Sequence, residues 1–268
     1  MSNRISAFLL ALSALLALKN PAMAQNNKFT GKEITYRDAD GKVLKGYVAY
    51  NKKAEHPLPA VLVIPEWWGC NEYARKRADM LAGLGYFAIA VDMYGEGIIV
   101  ETPQEASALA GPFYKDPGLG KMRMEAAIQE LKKYPQADTG RIAAIGYCFG
   151  GSMVLNGAKL GLPLKGVVSF HGGLAGVMAE PGVLKARILV CHGGADPLVS
   201  AADVKSFREN LDAVKADYLF IAYPGATHAF TNPNSTAVGK KYQMPIAYQE
   251  EADKKSWEAM KKFLAETL

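Results

Sequence analysis

Unbroken apolar runs alternate with segments of helical spacing along most of this chain. Residues 60–64 read AVLVI and residues 86–91 read YFAIAV. Neither alternates polar with apolar, so a strand made from either must be covered on both faces. Residues 141–145, 166–170, 187–191 and 217–223 continue the strand series. Between them, residues 72–84 put Ala74, Ala78, Leu81 and Leu84 on one side of a helix. Residues 102–109 open with Thr, Pro and then Glu, a helix start, and residues 119–134, 201–214 and 246–264 are further helical stretches. Residues 33–37 and 43–50, around Asp40-Gly41, predict a hairpin ahead of the series. Sustained strand–helix alternation calls for an α/β fold, a mostly parallel sheet with helices on both faces. Ligands of such sheets sit at the carboxyl ends of the strands.

Composition narrows the partners. Half of the 268 residues are hydrophobic and 21% are charged, which excludes disorder for the bulk of the chain. The net charge of +5 has no block of like charge behind it, so no nucleic-acid partner is expected. Three cysteines are too few for a disulfide scaffold. The first residues have the three parts of a secretory signal peptide: Arg4, an apolar run over 6–18, and Ala22-Met23-Ala24 with small residues flanking a cut before Gln25. The run falls short of the roughly 20 residues of a bilayer span; an uncleaved anchor is the alternative. Cleavage of residues 1–24 would leave 25–268 as a single domain in a bacterial periplasm, without membrane contact. A monomer or weak dimer is expected.

Gly146-Tyr147-Cys148-Phe149-Gly150-Gly151 lies directly between a strand and a helix. G-x-C-x-G is the nucleophile-elbow pattern with cysteine at its centre. The central residue sits on a tight, strained turn, so bulk is excluded two residues to either side. Such a turn lifts the sulfur above the sheet and aims the Phe149 amide at a bound carbonyl oxygen. A sulfur nucleophile needs a base and a group to orient it, and in α/β-hydrolases an acid and then a histidine follow the nucleophile. Asp196 and His228 each come just beyond a strand, in that order. His171 and His192 also end strands, while His56 lies in a polar loop. Asp92 and Asp138 are rival acids; the first comes too early in the chain, and the second sits in a turn. No H-x-x-x-H or cysteine cluster offers a metal site, and no cofactor is implied.

Five stretches carry a resemblance to the dienelactone hydrolase family of α/β-hydrolases: IPEWWGCNEYARKRADMLAGLGYFAIAVDMYG from Ile64, IGYCFGG from Ile145, VCHGGADP from Val190, PGATHAF from Pro224 and YQEEADKKSWEAMKKFL from Tyr248. The similarity spans about residues 29–265. It implies a Cys148-His228-Asp196 triad and a role for Glu66, which in the family holds the resting thiol and can take its proton. The amides of Trp67 and Phe149 would then form an oxyanion hole, and the α/β-hydrolase fold would be the scaffold. The activity implied is hydrolysis of small carboxylic esters or lactones through an acyl-cysteine.

The chain departs from the dienelactone-cleaving members where they hold the substrate's carboxylate with arginines. Glu96 and Asn232 stand at the matching positions, and neither can replace a bidentate cation. Trp67, Trp68, Tyr94, Phe113 and Tyr114 suggest an apolar pocket, with His171 near the substrate. Lys115, Lys121 and Arg123, in the following segment, are the alternative cations for the pocket. Two other readings remain at this level: a non-catalytic binding protein, and a thiol redox protein pairing Cys148 with Cys70.

Overall fold

The computed structural model describes residues 29–268, so the expected signal peptide lies outside the described residues. One eight-stranded sheet runs through it in the order β1-β2-β4-β3-β5-β6-β7-β8. Strands β1 (Phe29–Arg37) and β2 (Val43–Asn51) form the expected hairpin, in register from Arg37 opposite Val43 to Phe29 opposite Asn51. β2 lies antiparallel to β4 (Phe87–Ala90). Beyond that edge every neighbouring pair is parallel, through β3 (Leu58–Ile64), β5 (Ala137–Tyr147), β6 (Gly166–Phe170), β7 (Arg187–Gly193) and β8 (Tyr218–Tyr223).

The apolar runs do what their composition requires. Along β3, Leu62 and Ile64 join one core layer with Phe87, Ile89 and Met153, while Val61 and Val63 join the other with Ile145, Val168 and Phe263. Successive strand side chains point to opposite faces, so a strand with no polar residue needs both layers. Helices α2 (Pro103–Lys115), α3 (Pro117–Leu131), α4 (Phe149–Lys159) and α5 (Ala201–Ala213) close the first layer with Phe113, Met124, Val154 and Leu211. Helices α1 (Glu72–Gly83) and α7 (Glu250–Thr267) close the second with Leu81 and Met260. Each such side chain contributes about 1.5–3 kcal/mol by leaving water. No helix among the described residues is long and apolar enough to cross a membrane.

The differences from expectation are local. Helix α2 continues six residues past its expected end at Leu109, because Ala110 and Phe113 keep its buried stripe going through Pro112. α3 and α7 are each shifted by a few residues along the chain. Helix α6 (Ser235–Tyr242) has no counterpart in the pattern, since its buried positions are Ser235 and Gly239 rather than an apolar stripe. It packs by close backbone approach: a Cβ on Gly239 would lie 2.4 Å from the Ile246 carbonyl oxygen.

The same kind of approach builds the turn between β5 and α4. A Cβ on Gly146 would lie 2.1 Å from the Gly150 carbonyl oxygen, and one on Gly150 would lie 2.3 Å from that of Ile64. Both obstacles are backbone, which has nowhere to move without shifting β3 against α4. Gly150→Ala should therefore lower stability by about 3 kcal/mol despite the small added volume. Chemical denaturation will read this directly, and a loss below about 0.5 kcal/mol would mean that β3 and α4 are free to separate.

Candidate active site

Four loops at the carboxyl ends of β3, β5, β7 and β8 bring Glu66, Cys148, Asp196 and His228 together. Cys148 occupies the turn with φ 53° and ψ −115°, a left-handed conformation that a side chain adopts only when its surroundings hold it there. Its amide donates to the Phe170 carbonyl at 3.0 Å and to His171 Nδ1 at 3.1 Å. The sulfur is 3.0 Å from His228 Nε2. On the far side of that ring, Nδ1 is 2.8 Å from Asp196 Oδ2. The second carboxylate oxygen of Asp196 accepts the Leu198 amide at 2.9 Å, so the acid is anchored at both ends. An ionised carboxylate only accepts hydrogen bonds, which puts the proton of His228 on Nδ1 and turns Nε2 to the sulfur.

Burial would lower the basicity of His228, but the negative charge of a Cys148 thiolate and the hydrogen bond to Asp196 outweigh it and raise the pKa to about 10. The neighbours thus favour a protonated imidazole at His228, beside the sulfur. Glu66 is buried and its pKa is pushed up to about 7, because loss of water outweighs the hydrogen bond from Asn232 and the charges of His228 and Arg77. Asn232 Nδ2 donates to Glu66 Oε2 at 2.7 Å. In this structure the thiol faces His228, and Glu66 is held by Asn232; the family-based expectation that Glu66 holds the resting thiol is not what the geometry has.

A cavity of about 260 Å³ opens over Cys148 and His228. Trp67 and Trp68 line it, together with Tyr114, Leu198, Met244 and Ile246. The amides of Trp67 and Phe149 donate to no other described group, and the N-terminus of α4 begins at Phe149. Three expected pocket residues lie elsewhere, and one of them, Phe113, is buried in the core against Phe149. Tyr94 is buried behind the wall, where its hydroxyl donates to the Trp67 carbonyl at 2.9 Å and its ring packs on Phe113 and Phe149. His171 is fully buried beneath the turn, cut off from the cavity by the Cys148 backbone that its ring contacts. His171 follows its strand directly, as expected, and Tyr94 lies a few residues beyond one, but their polar atoms are taken up by the Trp67 carbonyl, the Cys148 amide and the Thr231 hydroxyl rather than turned to a ligand.

Charge around the cavity also differs from expectation. No lysine or arginine is among its lining residues. Glu96 does not line it either; its carboxylate lies 3.8 Å from Lys45 Nζ at the surface. Arg123 is paired with Asp38, and Lys121 with Glu125 at 3.7 Å. The rival acids have structural employment. Asp92 accepts the amides of Lys45, Tyr94, Gly95 and Gly97. Asp138 holds Gly140 and Arg141, and His56 is exposed. All three thiols are free, and burial pushes those of Cys70 and Cys191 up to about 12. Met244 and Ile246 had no sequence signal, because they reach the cavity from the segment after the unforeseen α6.

An eight-stranded, mostly parallel sheet with a cysteine elbow at its carboxyl edge defines an α/β-hydrolase. The dienelactone hydrolase family model matches residues 44–268. A provisionally named carboxymethylenebutenolidase of Methylorubrum extorquens is 30% identical, over 83% of this chain and 79% of its own. Another, of Saccharolobus solfataricus, is 26% identical over 87% and 97%. The crystal structure of a dienelactone hydrolase-like promiscuous phosphotriesterase from metagenomic libraries superposes with a TM-score of 0.84 at 33% identity, covering 90% of this chain and 99% of that one. The chain belongs to the dienelactone hydrolase family, and it is a hydrolase.

The raised pKa of Glu66 has a stability consequence. Between its ordinary value near 4.5 and its folded value of about 7, the native state binds a proton that the unfolded state has released. Stability therefore falls as pH rises through that window. Glu66→Gln keeps an acceptor for Asn232 and removes the titration. Wild type should lose about 3 kcal/mol more than this variant between pH 4 and pH 8 in denaturant titrations. Parallel pH profiles for the two proteins would show Glu66 to be ordinary.

Proposed function

We propose that this enzyme hydrolyses small, uncharged carboxylic esters or lactones through a Cys148-His228-Asp196 triad. The observation that carries the proposal is the line from Asp196 Oδ2 through His228 to Cys148 Sγ, 2.8 Å and 3.0 Å long, opening on an apolar cavity. The Cys148 thiolate attacks the carbonyl carbon, and negative charge collects on the carbonyl oxygen. The free amides of Trp67 and Phe149, at the N-terminus of α4, are suited to hold that charge. As the intermediate collapses, the carbon–oxygen bond to the leaving group breaks and His228 passes its Nε2 proton to the departing alkoxide. The acyl group remains as a thioester on Cys148. Water then gives a proton to His228 and attacks the thioester, and the carboxylic acid leaves as sulfur is released. Asp196 keeps the ring in its working tautomer throughout.

The absence of lysine and arginine among the lining residues supports uncharged substrates. Seating a carboxylate in an apolar cavity without a partner costs several kcal/mol. Asn232, at the position matching a carboxylate-holding arginine, is already engaged with Glu66. We further propose that residues 1–24 are a cleaved signal peptide, and that residues 25–268 act as a single periplasmic domain, monomeric or weakly dimeric.

Cys148→Ala should lower kcat on a chromogenic acetate ester by at least about 1,000-fold while leaving the thermal midpoint near that of wild type. Retention of half the activity would remove Cys148 from the reaction. Wild type should also show a kcat/KM at least about tenfold higher for a neutral short-chain ester than for a lactone bearing a free carboxylate. A preference for the anionic lactone would mean that a cation reaches the cavity during turnover.

A further inference from the structure

Beneath the turn, a chain of largely buried polar groups runs from the Cys148 amide to helices α1 and α7. His171 Nδ1 accepts that amide at 3.1 Å, and His171 Nε2 lies 2.8 Å from Thr231 Oγ1. Thr231 Oγ1 lies 2.7 Å from the Tyr73 hydroxyl, which also accepts Arg77 Nε at 3.3 Å. Arg77 Nη2 donates to the Thr231 carbonyl at 2.8 Å and to Asp253 at 2.6 Å. None of these groups reaches the cavity, and the triad chemistry does not use them.

We propose that His171 is a positioning residue for the nucleophile: held in one tautomer by Thr231, its Nδ1 lone pair secures the Cys148 amide and so keeps Cys148 in the strained turn that aims Sγ at His228. This rests on the reading of Cys148 as the nucleophile.

The direction of each hydrogen bond is forced from the cysteine end. An amide only donates, so Nδ1 must carry no proton. The neutral ring then carries its proton on Nε2, where Thr231 Oγ1 receives it. Arg77 and Tyr73 fix Thr231 from behind, so the ring has no alternative partner to turn to. Protonation of His171 would set an N–H against the Cys148 N–H, and the surroundings oppose it. The ring is fully buried, it faces His228 at 5.4 Å between centroids, and Arg77 adds a second positive charge. Tyr147 and Phe230 pack on its remaining sides at 6.1 Å and 5.1 Å. His171 itself has φ 41°, so the strand end is strained to present the ring. Meanwhile Cys148 N also donates to the Phe170 carbonyl. Losing His171 would therefore leave that amide bonded and the fold standing, but freer to rotate.

Three variants test this, read by kcat and KM on a neutral ester and by the pH dependence of iodoacetamide alkylation of Cys148. His171→Leu removes the acceptor. His171→Asn returns it, because Oδ1 stands where Nδ1 stood. Thr231→Val keeps the shape and the carbonyl that Arg77 holds, but releases the tautomer. His171→Leu should lower kcat about tenfold, with KM within about twofold, and move the alkylation profile to higher pH as the thiolate loses its alignment with His228. Glu66, Asp196, His192, Tyr94 and Tyr114, the other ionisable groups around Cys148 and His228, are unchanged in all three. His171→Asn should recover most of both readouts, and Thr231→Val should shift both in the direction of His171→Leu, by less. A purely structural histidine would lower the thermal midpoint and leave the alkylation profile in place. An unchanged profile in His171→Leu, or His171→Asn no better than it, overturns the proposal. Should His171→Leu fail to fold, a wild-type profile in Thr231→Val does so instead. Alkylation requires no turnover, so this outcome is separate from the one that Cys148→Ala decides.

Discussion

A single non-glycine residue held at φ 53° governs the layout of this molecule. Cys148 adopts that conformation because β5 must stop and α4 must start within one residue, with β3 packed against both. The contacts at Gly146 and Gly150 are between backbones, too close for any side chain. Strand β3 therefore sits where α4 needs it, and the loop that follows β3 carries Glu66 and Trp67 to the sulfur. The conformation stores strain of order 1–3 kcal/mol, and the two buried layers of apolar side chains on either side of the sheet hold it in place.

Around this turn, charges are sorted by which groups keep water. Asp196 is buried but has two hydrogen bonds, and it favours a protonated His228. Glu66 is buried with one such bond and two cations farther off, so it holds its proton more tightly than an ordinary carboxyl group. His171, close to the same imidazole, is kept neutral by burial and by the positive charge next to it. Three titratable side chains thus take three different roles within one small volume, and differences in hydrogen bonding and desolvation assign them.

The architecture was legible in the sequence because two-sided burial writes itself as unbroken apolar runs, as in AVLVI of β3. The elbow was legible because its glycines answer a steric demand at fixed spacing. Asp196 and His228 followed from their places just after strands. What escaped were features that depend on contacts across the chain. Helix α6 packs through Ser235 and Gly239, which carry no periodic signal. Tyr94 and His171 both follow strands, yet local sequence does not tell a side chain turned toward a cavity from one turned into the wall. Glu96 similarly stood in the sequence at a position that faces substrate in relatives, and only the fold turns it toward Lys45.

The cavity lining includes Trp68, Tyr114 and Met244, side chains on three separate segments, none of which bonds to Cys148, His228 or Asp196. The part of the molecule that chooses a molecule is thus decoupled from the part that breaks it. Substitutions at these positions can redraw the shape and polarity of the cavity while the strained turn and its charges stay as they are. A lineage built on this scaffold is free to drift from one ester to another through single changes, each leaving a working attacking group behind it.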